Sequence, residues 1–120
     1  MHTIRFDSES FRKRFAGDYE RNEDILLPPK ITEASEAVTV RMKRGQKTEK
    51  HAHDDKEQIY VILEGEGEVT IDGEKRKVSA DTLAYVPRNA EHEVEATGEE
   101  LVYIYVTVWP GGKPAGDIHH

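Results

Sequence analysis

Short runs of alternating apolar and polar residues dominate the chain from about residue 35 to residue 109. The clearest run has apolar side chains at even positions and polar ones at odd positions: Val38, Thr39, Val40, Arg41, Met42 and Lys43. Because successive side chains of a β-strand point to opposite faces, this alternation predicts a strand with one buried face and one face in water.

Turn residues divide the sequence that follows into many short strands. β-rich runs over residues 59–63 and 82–86 flank a strong hairpin signal at Asp72-Gly73, and Gly65-Glu66-Gly67 and Pro87-Arg88-Asn89 mark further breaks. This spacing leaves no room for the crossover helices that parallel strands require. The pattern therefore predicts an all-β antiparallel fold, either a sandwich or a small barrel.

The last predicted strand, residues 101–109, is apolar on both faces. A strand buried on both sides of a small all-β domain needs a second covering layer, from the N-terminal segment or from another subunit. On this ground we expect a homodimer.

The N-terminal segment has a different pattern, which predicts a short helix. Ser8 or Ser10 can cap a helix within residues 7–22, and Phe11 and Phe15 then lie on one face of it. One interpretation lays this helix across the barrel. The alternative is an arm that crosses to a partner subunit.

The chain is predicted to have three parts. Residues 1–32 form the N-terminal arm, which includes a short edge strand at residues 25–27 that two prolines end. Residues 33–109 form the barrel, and residues 110–120 form a flexible tail. His119 and His120, in that tail, are interpreted as tail or tag residues rather than ligands.

Composition and charge exclude several classes of function. With 120 residues the chain has room for one domain with a small core. A formal net charge of −7 argues against a nucleic-acid partner, because phosphate binding depends on clustered Lys and Arg. The absence of cysteine excludes disulfides and thiolate metal ligands. We predict no membrane association and a cytoplasmic location, because no apolar run approaches the ~20 residues of a membrane-spanning helix and the N-terminus lacks the apolar core of a signal peptide.

Histidines provide the candidate chemistry. His51 and His53 are two residues apart, so a strand places both imidazoles on the same face, where they can bind one ion. His92 is the only other histidine away from the chain ends. One hairpin between the two groups suffices to bring His92 opposite His51 and His53.

These residues resemble the two motifs of the cupin superfamily. Its first motif, G(x)5HxH(x)3–4E(x)6G, matches at Gly45, His51, His53 and Gly65, and its second, G(x)5PxG(x)2H(x)3N, matches at Pro87 and His92. The resemblance implies an antiparallel jelly-roll barrel, often dimeric. It also implies a metal held by three histidines and one acidic residue.

The chain departs from both motifs. The glutamate position of the first motif holds Gln58, and the rival Glu57 is one position off, so its side chain should turn to the other face. In the second motif Asp81 and Asn89 replace glycines, and Ala96 replaces the final asparagine. Asparagine tolerates the left-handed backbone for which glycine is used, so we expect the turn before His92 to survive.

The predicted ligands His51, His53, Gln58 and His92 are all uncharged. They suit a divalent transition metal, namely Fe, Mn, Ni, Zn, Co or Cu, without selecting among them. Because no ligand cancels the charge of the ion, a small anionic partner such as a carboxylate or an enolate is expected in its open positions.

Two tyrosines are candidate catalytic groups. Tyr60 shares the face of Gln58 by parity and should line the cavity, and Tyr85, in the predicted strand over residues 82–86, is a further candidate. A tyrosine hydroxyl near the metal can act as an acid or a hydrogen-bond donor. For each aromatic side chain, packing in the core is the competing interpretation.

The predicted function is that of a small metal-binding cupin that binds or transforms an anionic metabolite, with dioxygenase or decarboxylase chemistry as the reaction class. The first alternative is a non-catalytic module that binds or stores its ligand through the same metal. The second is a metal-free barrel resembling sugar isomerases or epimerases, with His51 or His92 as a general base.

Overall fold

The structure, a computed structural model, describes Thr3 and residues 12–16, 19–27 and 31–114. All regular elements in these residues are β-strands. In chain order they are β1 (Arg12–Ala16), β2 (Tyr19–Leu27), β3 (Ser35–Lys43), β4 (Glu57–Ile71), β5 (Glu74–Ser79), β6 (Leu83–Val86) and β7 (His92–Val108).

The strands form an antiparallel jelly-roll barrel, as predicted. Their order is β1-β2-β3-β7-β4-β5, and β6 pairs with β4 beside β5. The two long strands β4 and β7 pair along most of their length, from Glu57↔Val108 to Ile71↔His92. Register shifts near the middle of β4 let this pair pass from one layer of the barrel to the other.

Gly65 lies at the bend of β4 and cannot carry a side chain. Its φ is +83°, and a Cβ built there would lie 1.8 Å from the backbone oxygen of Glu100 on β7. The close approach of the two strands therefore requires glycine, both for the left-handed backbone and for space.

Three of the described non-glycine residues adopt a positive φ at turns. Asp72 has φ 48° and, with Gly73 at φ 81°, makes the tight turn between β4 and β5 that the sequence predicted. Asp81 has φ 68° and Asn89 has φ 70°. Both stand where the cupin motif has glycine, and the prediction that the turn before His92 survives the substitution by Asn89 is confirmed.

The core lies between the two layers of the barrel. Val38, Val40 and Met42 of β3 face it and are fully buried, together with Val94 and Leu101 of β7. Ala96 joins the same cluster, so the position where the motif has asparagine is an apolar core position here.

The prediction of a wet outer face on β3 is wrong for its first half. Ala37 and Thr39 face away from the core, yet Thr39 has no exposed surface. Arg41 is half-buried and forms an ion pair with Glu100 of β7. The alternation of side chains is thus as predicted, but the outer face is covered in the first half of the strand, whereas Lys43 at its end is exposed.

The predicted N-terminal helix is wrong where the structure describes it. Residues 12–16 and 19–27 pair as antiparallel strands, with Arg12 opposite Glu23 and Ala16 opposite Tyr19. Pairing with the exposed edge of β3 satisfies more backbone groups than an isolated short helix, so tertiary context outweighs the local helical pattern. The proposed capping serines and Phe11 lie outside the described residues.

The predicted edge strand at residues 25–27 is the end of β2. Among the described residues this end pairs with β3, whereas β1 pairs with the earlier part of β2, from Tyr19 to Glu23. The proline pair that follows it and residues 115–120 of the predicted tail lie outside the described residues. The domain boundaries therefore stay a prediction. In the described part of the chain, no helix is long and apolar enough to span a bilayer.

Candidate metal centre

Three imidazoles converge at one end of the barrel, as the sequence predicted. The rings of His51 and His53 have centroids 4.5 Å apart, and His92 lies 4.4 Å from His51 and 5.3 Å from His53. One ligand nitrogen from each ring can be chosen so that all three lie within 4.8 Å of one another. Nitrogen ligands of one ion, each about 2.1 Å from it, lie roughly 3 to 4 Å apart, so a small rotation of the rings completes the site.

The backbone explains this convergence. His51 and His92 form an antiparallel bridge in which each amide donates to the other residue's carbonyl, at 3.2 and 2.9 Å. The amide of Asn89, in the turn before β7, donates to the carbonyl of His53 at 2.6 Å. The left-handed turn at Asn89 therefore aligns the start of β7 with the His51-Ala52-His53 segment.

Backbone carbonyls set which ring nitrogen faces the centre. The Nδ1 atom of His51 lies 2.6 Å from the oxygen of Glu49, and that of His92 lies 3.0 Å from the oxygen of Ala90. Since a carbonyl only accepts hydrogen bonds, each Nδ1 donates, and each Nε2 keeps its lone pair.

The Nε2 atom of His92 is buried and has no hydrogen-bond partner among the described residues. A buried lone pair that meets no donor is uncommon in proteins and fits a bound cation. With two Nε2 lone pairs oriented by their carbonyls, the donor set fits a transition-metal ion.

Electrostatics favour the metal-binding form of His92. Burial lowers the pKa of His92 below its usual value, and the nearby His51 and Lys56 lower it further. The carbonyl of Ala90 and the carboxylate of Asp72 act in the opposite direction but more weakly than burial. His92 is therefore neutral, as a metal ligand must be, over a wider pH range than a free imidazole.

Gln58 and Glu57 face opposite sides of β4, as parity predicted. Gln58 is buried, and its Nε2 donates to Oγ1 of Thr107 at 3.1 Å. Glu57 faces outward, where its carboxylate accepts a hydrogen bond from the Tyr85 hydroxyl at 2.6 Å. Of the two, only Gln58 lines the interior of the barrel.

Tyr60 lies inside the barrel next to the histidines. Its ring centroid is 6.4 Å from that of His92, and its hydroxyl donates to Oε1 of Gln58 at 3.3 Å. Its ring packs edge-on against Tyr103, 5.5 Å away, and Tyr105, 6.4 Å away. Tyr60 thus combines a core contact with a hydroxyl on the polar side of the interior.

The comparison with known proteins agrees with this geometry. A family model for the cupin domain matches residues 38–109, which is more than half of the chain and includes all three histidines. The chain belongs to the cupin superfamily. The expected fold and the expected triad of histidines are therefore both present in this cupin.

Two curated proteins resemble parts of the chain. An uncharacterised protein of Methanocaldococcus jannaschii, MJ1618, is 38% identical over 66 residues, which is 55% of this cupin and 53% of that protein. The dimethylsulfoniopropionate lyase DddW of Ruegeria pomeroyi is 39% identical over 61 residues, which is 51% of this cupin and 40% of the lyase. The chain spans about half the length of the curated relatives it matches.

Solved structures resemble the whole fold. A predicted oxalate decarboxylase from Thermotoga maritima superposes with a TM-score of 0.77 and covers 88% of this cupin and 99% of its own chain. Its sequence identity is 20%, so this likeness concerns the barrel alone.

The structure does not bring Tyr85, the second predicted catalytic residue, to the metal centre. Tyr85 pairs with Ile59 on β4, which faces outward, and is half exposed. It lines a groove of about 500 Å³ together with Leu83 and Arg76, and none of the described histidines lines this groove. Adjacent positions on β6 point to opposite sides of the sheet, so Val86 rather than Tyr85 reaches the interior.

Sequence reasoning missed three polar residues inside this cupin. Glu36 on β3 and Thr107 on β7 have no exposed surface, and Lys56, directly before β4, is 5% exposed. The parity that placed Gln58 and Tyr60 inside also places Lys56 inside, since it lies two residues before Gln58. The same parity places Glu36 inside, since it lies two residues before Val38 on β3.

Proposed function

We propose that this cupin is a metal-dependent protein that binds a small carboxylate or enolate and transforms it, with decarboxylase- or dioxygenase-like chemistry. The observation that carries the proposal is the buried, partnerless Nε2 of His92 among three converging imidazoles. His51, His53 and His92 would hold the ion, with the Gln58 amide oxygen as a fourth ligand. The ion, when bound, would supply Lewis acidity toward an anionic oxygen.

The charge of the ligand set supports an anionic substrate. Three neutral imidazoles and one amide leave the double positive charge of a divalent ion uncompensated. Attraction between such an ion and a carboxylate about 4 Å away amounts to several kcal/mol even at an effective dielectric of about 20. One of the similar proteins carries a name that refers to a small carboxylate, dimethylsulfoniopropionate, which agrees with this substrate class.

Other residues of the chain would orient the ligands, exclude water and supply a hydrogen-bond donor. Thr107 orients the Gln58 amide, and the interior of the barrel excludes bulk water from the buried His92. Tyr60 has its hydroxyl beside Oε1 of Gln58, where it would donate a hydrogen bond to a bound anion or pass a proton to it.

The non-catalytic binding module predicted from the sequence is the second candidate. The same histidines would hold the metal in this module, so the two candidates differ only in whether the ligand is consumed. The metal-free epimerase alternative has less support, because a histidine acting as a general base is normally oriented by a carboxylate. Here the Nδ1 atoms of His51 and His92 contact backbone carbonyls.

Elemental analysis of protein purified without a metal-affinity column tests the proposal. We expect about one transition-metal ion per chain, lost in His92→Ala and retained in Glu91→Ala, whose exposed side chain is the neighbouring control. Calorimetry of the loaded protein with short carboxylates then measures binding, and product analysis with oxygen uptake measures turnover. Absence of metal from the wild type, or an unchanged metal content in His92→Ala, would contradict the proposal. Binding of a carboxylate without turnover would favour the non-catalytic binding module.

A further inference from the structure

One peptide unit directly before β7 forms hydrogen bonds at both of its ends. It joins Ala90 to Glu91, and His92 follows it. Its carbonyl oxygen lies 3.0 Å from Nδ1 of His92, and its N–H donates to Oδ1 of Asp72 at 2.8 Å. Because none of the described peptide bonds is cis, the C=O and N–H of this unit point in opposite directions. Asp72 and His92 therefore contact the two ends of a single peptide dipole.

The backbone of Asp72 explains why its side chain reaches this peptide. Ile71 is the last residue of β4 and pairs with His92, and the amide of Asp72 still donates to the carbonyl of Glu91 at 2.7 Å. A φ of 48° at Asp72 then turns the chain into the β4–β5 hairpin. The carboxylate of Asp72 accepts the hydrogen bond from the Glu91 amide, as a backbone carbonyl would in a continuing ladder.

The backbone of His92 is fixed as well. Its amide donates to the carbonyl of His51 at 2.9 Å, and its carbonyl accepts from the amide of His51 at 3.2 Å. The side chain is 1% exposed, so the packed interior restricts the imidazole. With the backbone fixed, the rotation of the ring and the position of its proton decide whether Nε2 can bind an ion. The Ala90 carbonyl acts on both, because it accepts from Nδ1.

A carboxylate at the N–H end of a peptide strengthens the hydrogen bond at its C=O end, because hydrogen bonds in series polarise one another. Histidines that bind metals commonly donate their second N–H to a carboxylate or a backbone carbonyl, which fixes the tautomer and raises the basicity of the ligand nitrogen. His92 combines the two arrangements. The carbonyl contacts the ring directly, and the carboxylate acts on that carbonyl through one peptide unit.

We propose that Asp72 is a positioning residue for the metal ligand His92 and acts through the Ala90–Glu91 peptide. It holds this peptide so that the Ala90 carbonyl keeps the imidazole proton on Nδ1 and leaves the lone pair of Nε2 for the ion. Asp72 lies between the residues that match the two cupin motifs, so neither motif includes it. This inference rests on the proposed function, because it requires a metal at His92.

Three substitutions test the role of Asp72 in metal binding. Asp72→Gly removes the carboxylate and keeps a residue that adopts a positive φ readily, and Asp72→Asn keeps an oxygen acceptor in place. Asp81→Gly is the matched control, because Asp81 is also exposed and has φ 68° in a turn. Competition of the full chain with a chromophoric chelator for Zn²⁺ measures the Kd. We expect Asp72→Gly to weaken binding by about tenfold or more, and the other two variants to change it by less than about threefold.

NMR of the isotope-labelled, metal-free protein gives a readout that a merely structural role would not move. His92 of the wild type should carry its proton on Nδ1, and the signal of this proton should move upfield in Asp72→Gly but not in Asp81→Gly.

If Asp72→Gly does not fold, a smaller upfield shift in Asp72→Asn, absent from Asp81→Asn, decides the matter, because a neutral amide polarises the peptide less than a carboxylate does. A wild type with the proton on Nε2, an unmoved proton signal in the Asp72 variants, or equal metal affinity of Asp72→Gly and Asp81→Gly would overturn the role of Asp72 but leave the proposed function intact. A wild type that binds no transition metal would overturn both.

Discussion

The amide nitrogen of Gln58 donates a hydrogen bond to the hydroxyl of Thr107, 3.1 Å away, inside the barrel. The two residues face each other across β4 and β7, and Thr107 has no exposed surface. This contact orients the amide, because the nitrogen donates to Thr107 and the oxygen, which accepts one hydrogen bond from Tyr60, keeps a second lone pair. Thr107 is thus a positioning residue for the proposed fourth ligand.

Thr107→Val should weaken metal binding by about tenfold or more, because the amide loses the partner that orients its oxygen. Thr107→Ser keeps the hydroxyl and should retain near wild-type affinity. Competition with a chromophoric chelator measures the metal affinity of both variants. If the valine variant binds metal as tightly as the serine variant, Gln58 does not depend on Thr107.

Tyr60 and Tyr85 offer a matched pair of substitutions on the two faces of β4 and β6. Tyr60→Phe should weaken carboxylate binding by about tenfold, since one hydrogen bond to a charged group contributes roughly 1.5 kcal/mol or more. Tyr85→Phe removes only the outer contact with Glu57 and should leave binding unchanged. Titration calorimetry on the metal-loaded variants compares them. Equal losses of carboxylate affinity in the two variants would show that the Tyr60 hydroxyl has no particular role in binding the carboxylate.

Acid should destabilise the metal-free protein through His92. Burial lowers the pKa of His92 in the folded state, while the unfolded state has a pKa of about 6.5, so the unfolded chain binds more protons in acid. Stability is then fully present above about pH 6.5 and falls as the pH drops toward the folded pKa. Urea unfolding between pH 8 and 5.5, with a chelator present, measures this slope.

His92→Gln removes the titrating group and should flatten the dependence of unfolding free energy on pH. A slope as steep as that of the wild type would assign the acid sensitivity to other groups.

Substitutions at Gly65 and Gly73 distinguish two destabilising effects of an added side chain, namely steric clash and backbone strain. Gly65→Ala should lower the free energy of unfolding by about 3 kcal/mol or more, because a Cβ meets the Glu100 oxygen in addition to backbone strain. Gly73 has φ +81° but open space around it, so Gly73→Ala should cost about 1 kcal/mol. Urea denaturation compares the two variants. Similar losses would mean that the β4 bend has room for a side chain.

The outer face of the sheet supports the homodimer expected from the sequence, which stays a prediction. Apolar residues from β7, β4 and β6 stand opposite one another there, in the rows Ile104↔Val61↔Leu83 and Val106↔Ile59↔Tyr85. Leu83 and Tyr85 are among the most exposed large apolar side chains described. An apolar sheet face of this kind can be buried by packing against the same face of a second copy of the chain.

Val61→Lys should convert a dimer into a monomer without changing the metal content, because it places a charge at the centre of that face. Lys75→Glu on the β4–β5 hairpin is the control and should leave the dimer intact. Sedimentation velocity at micromolar concentration distinguishes the two states. A monomeric wild type would contradict the prediction.

Local patterns in the sequence were sufficient to predict the fold and the triad of histidines. The Asp72-Gly73 turn, the two-residue spacing of His51 and His53, and the parity between Glu57 and Gln58 all depend on neighbours in the chain, and all three are as predicted. The helix predicted near the N-terminus failed because pairing of β1 and β2 with the sheet is a long-range event.

The sequence pattern by itself determined an all-β antiparallel fold and which side chains share a face, because both follow from the two-residue period of a strand and from the backbone preferences of turn residues. Only the tertiary structure decided which faces are covered and which strands become neighbours. It buried Thr39, turned Tyr85 outward, and buried Glu36 and Lys56. The physical reason is that burial and charge proximity depend on strand pairing and sheet curvature, to which residues more than 40 positions apart contribute together.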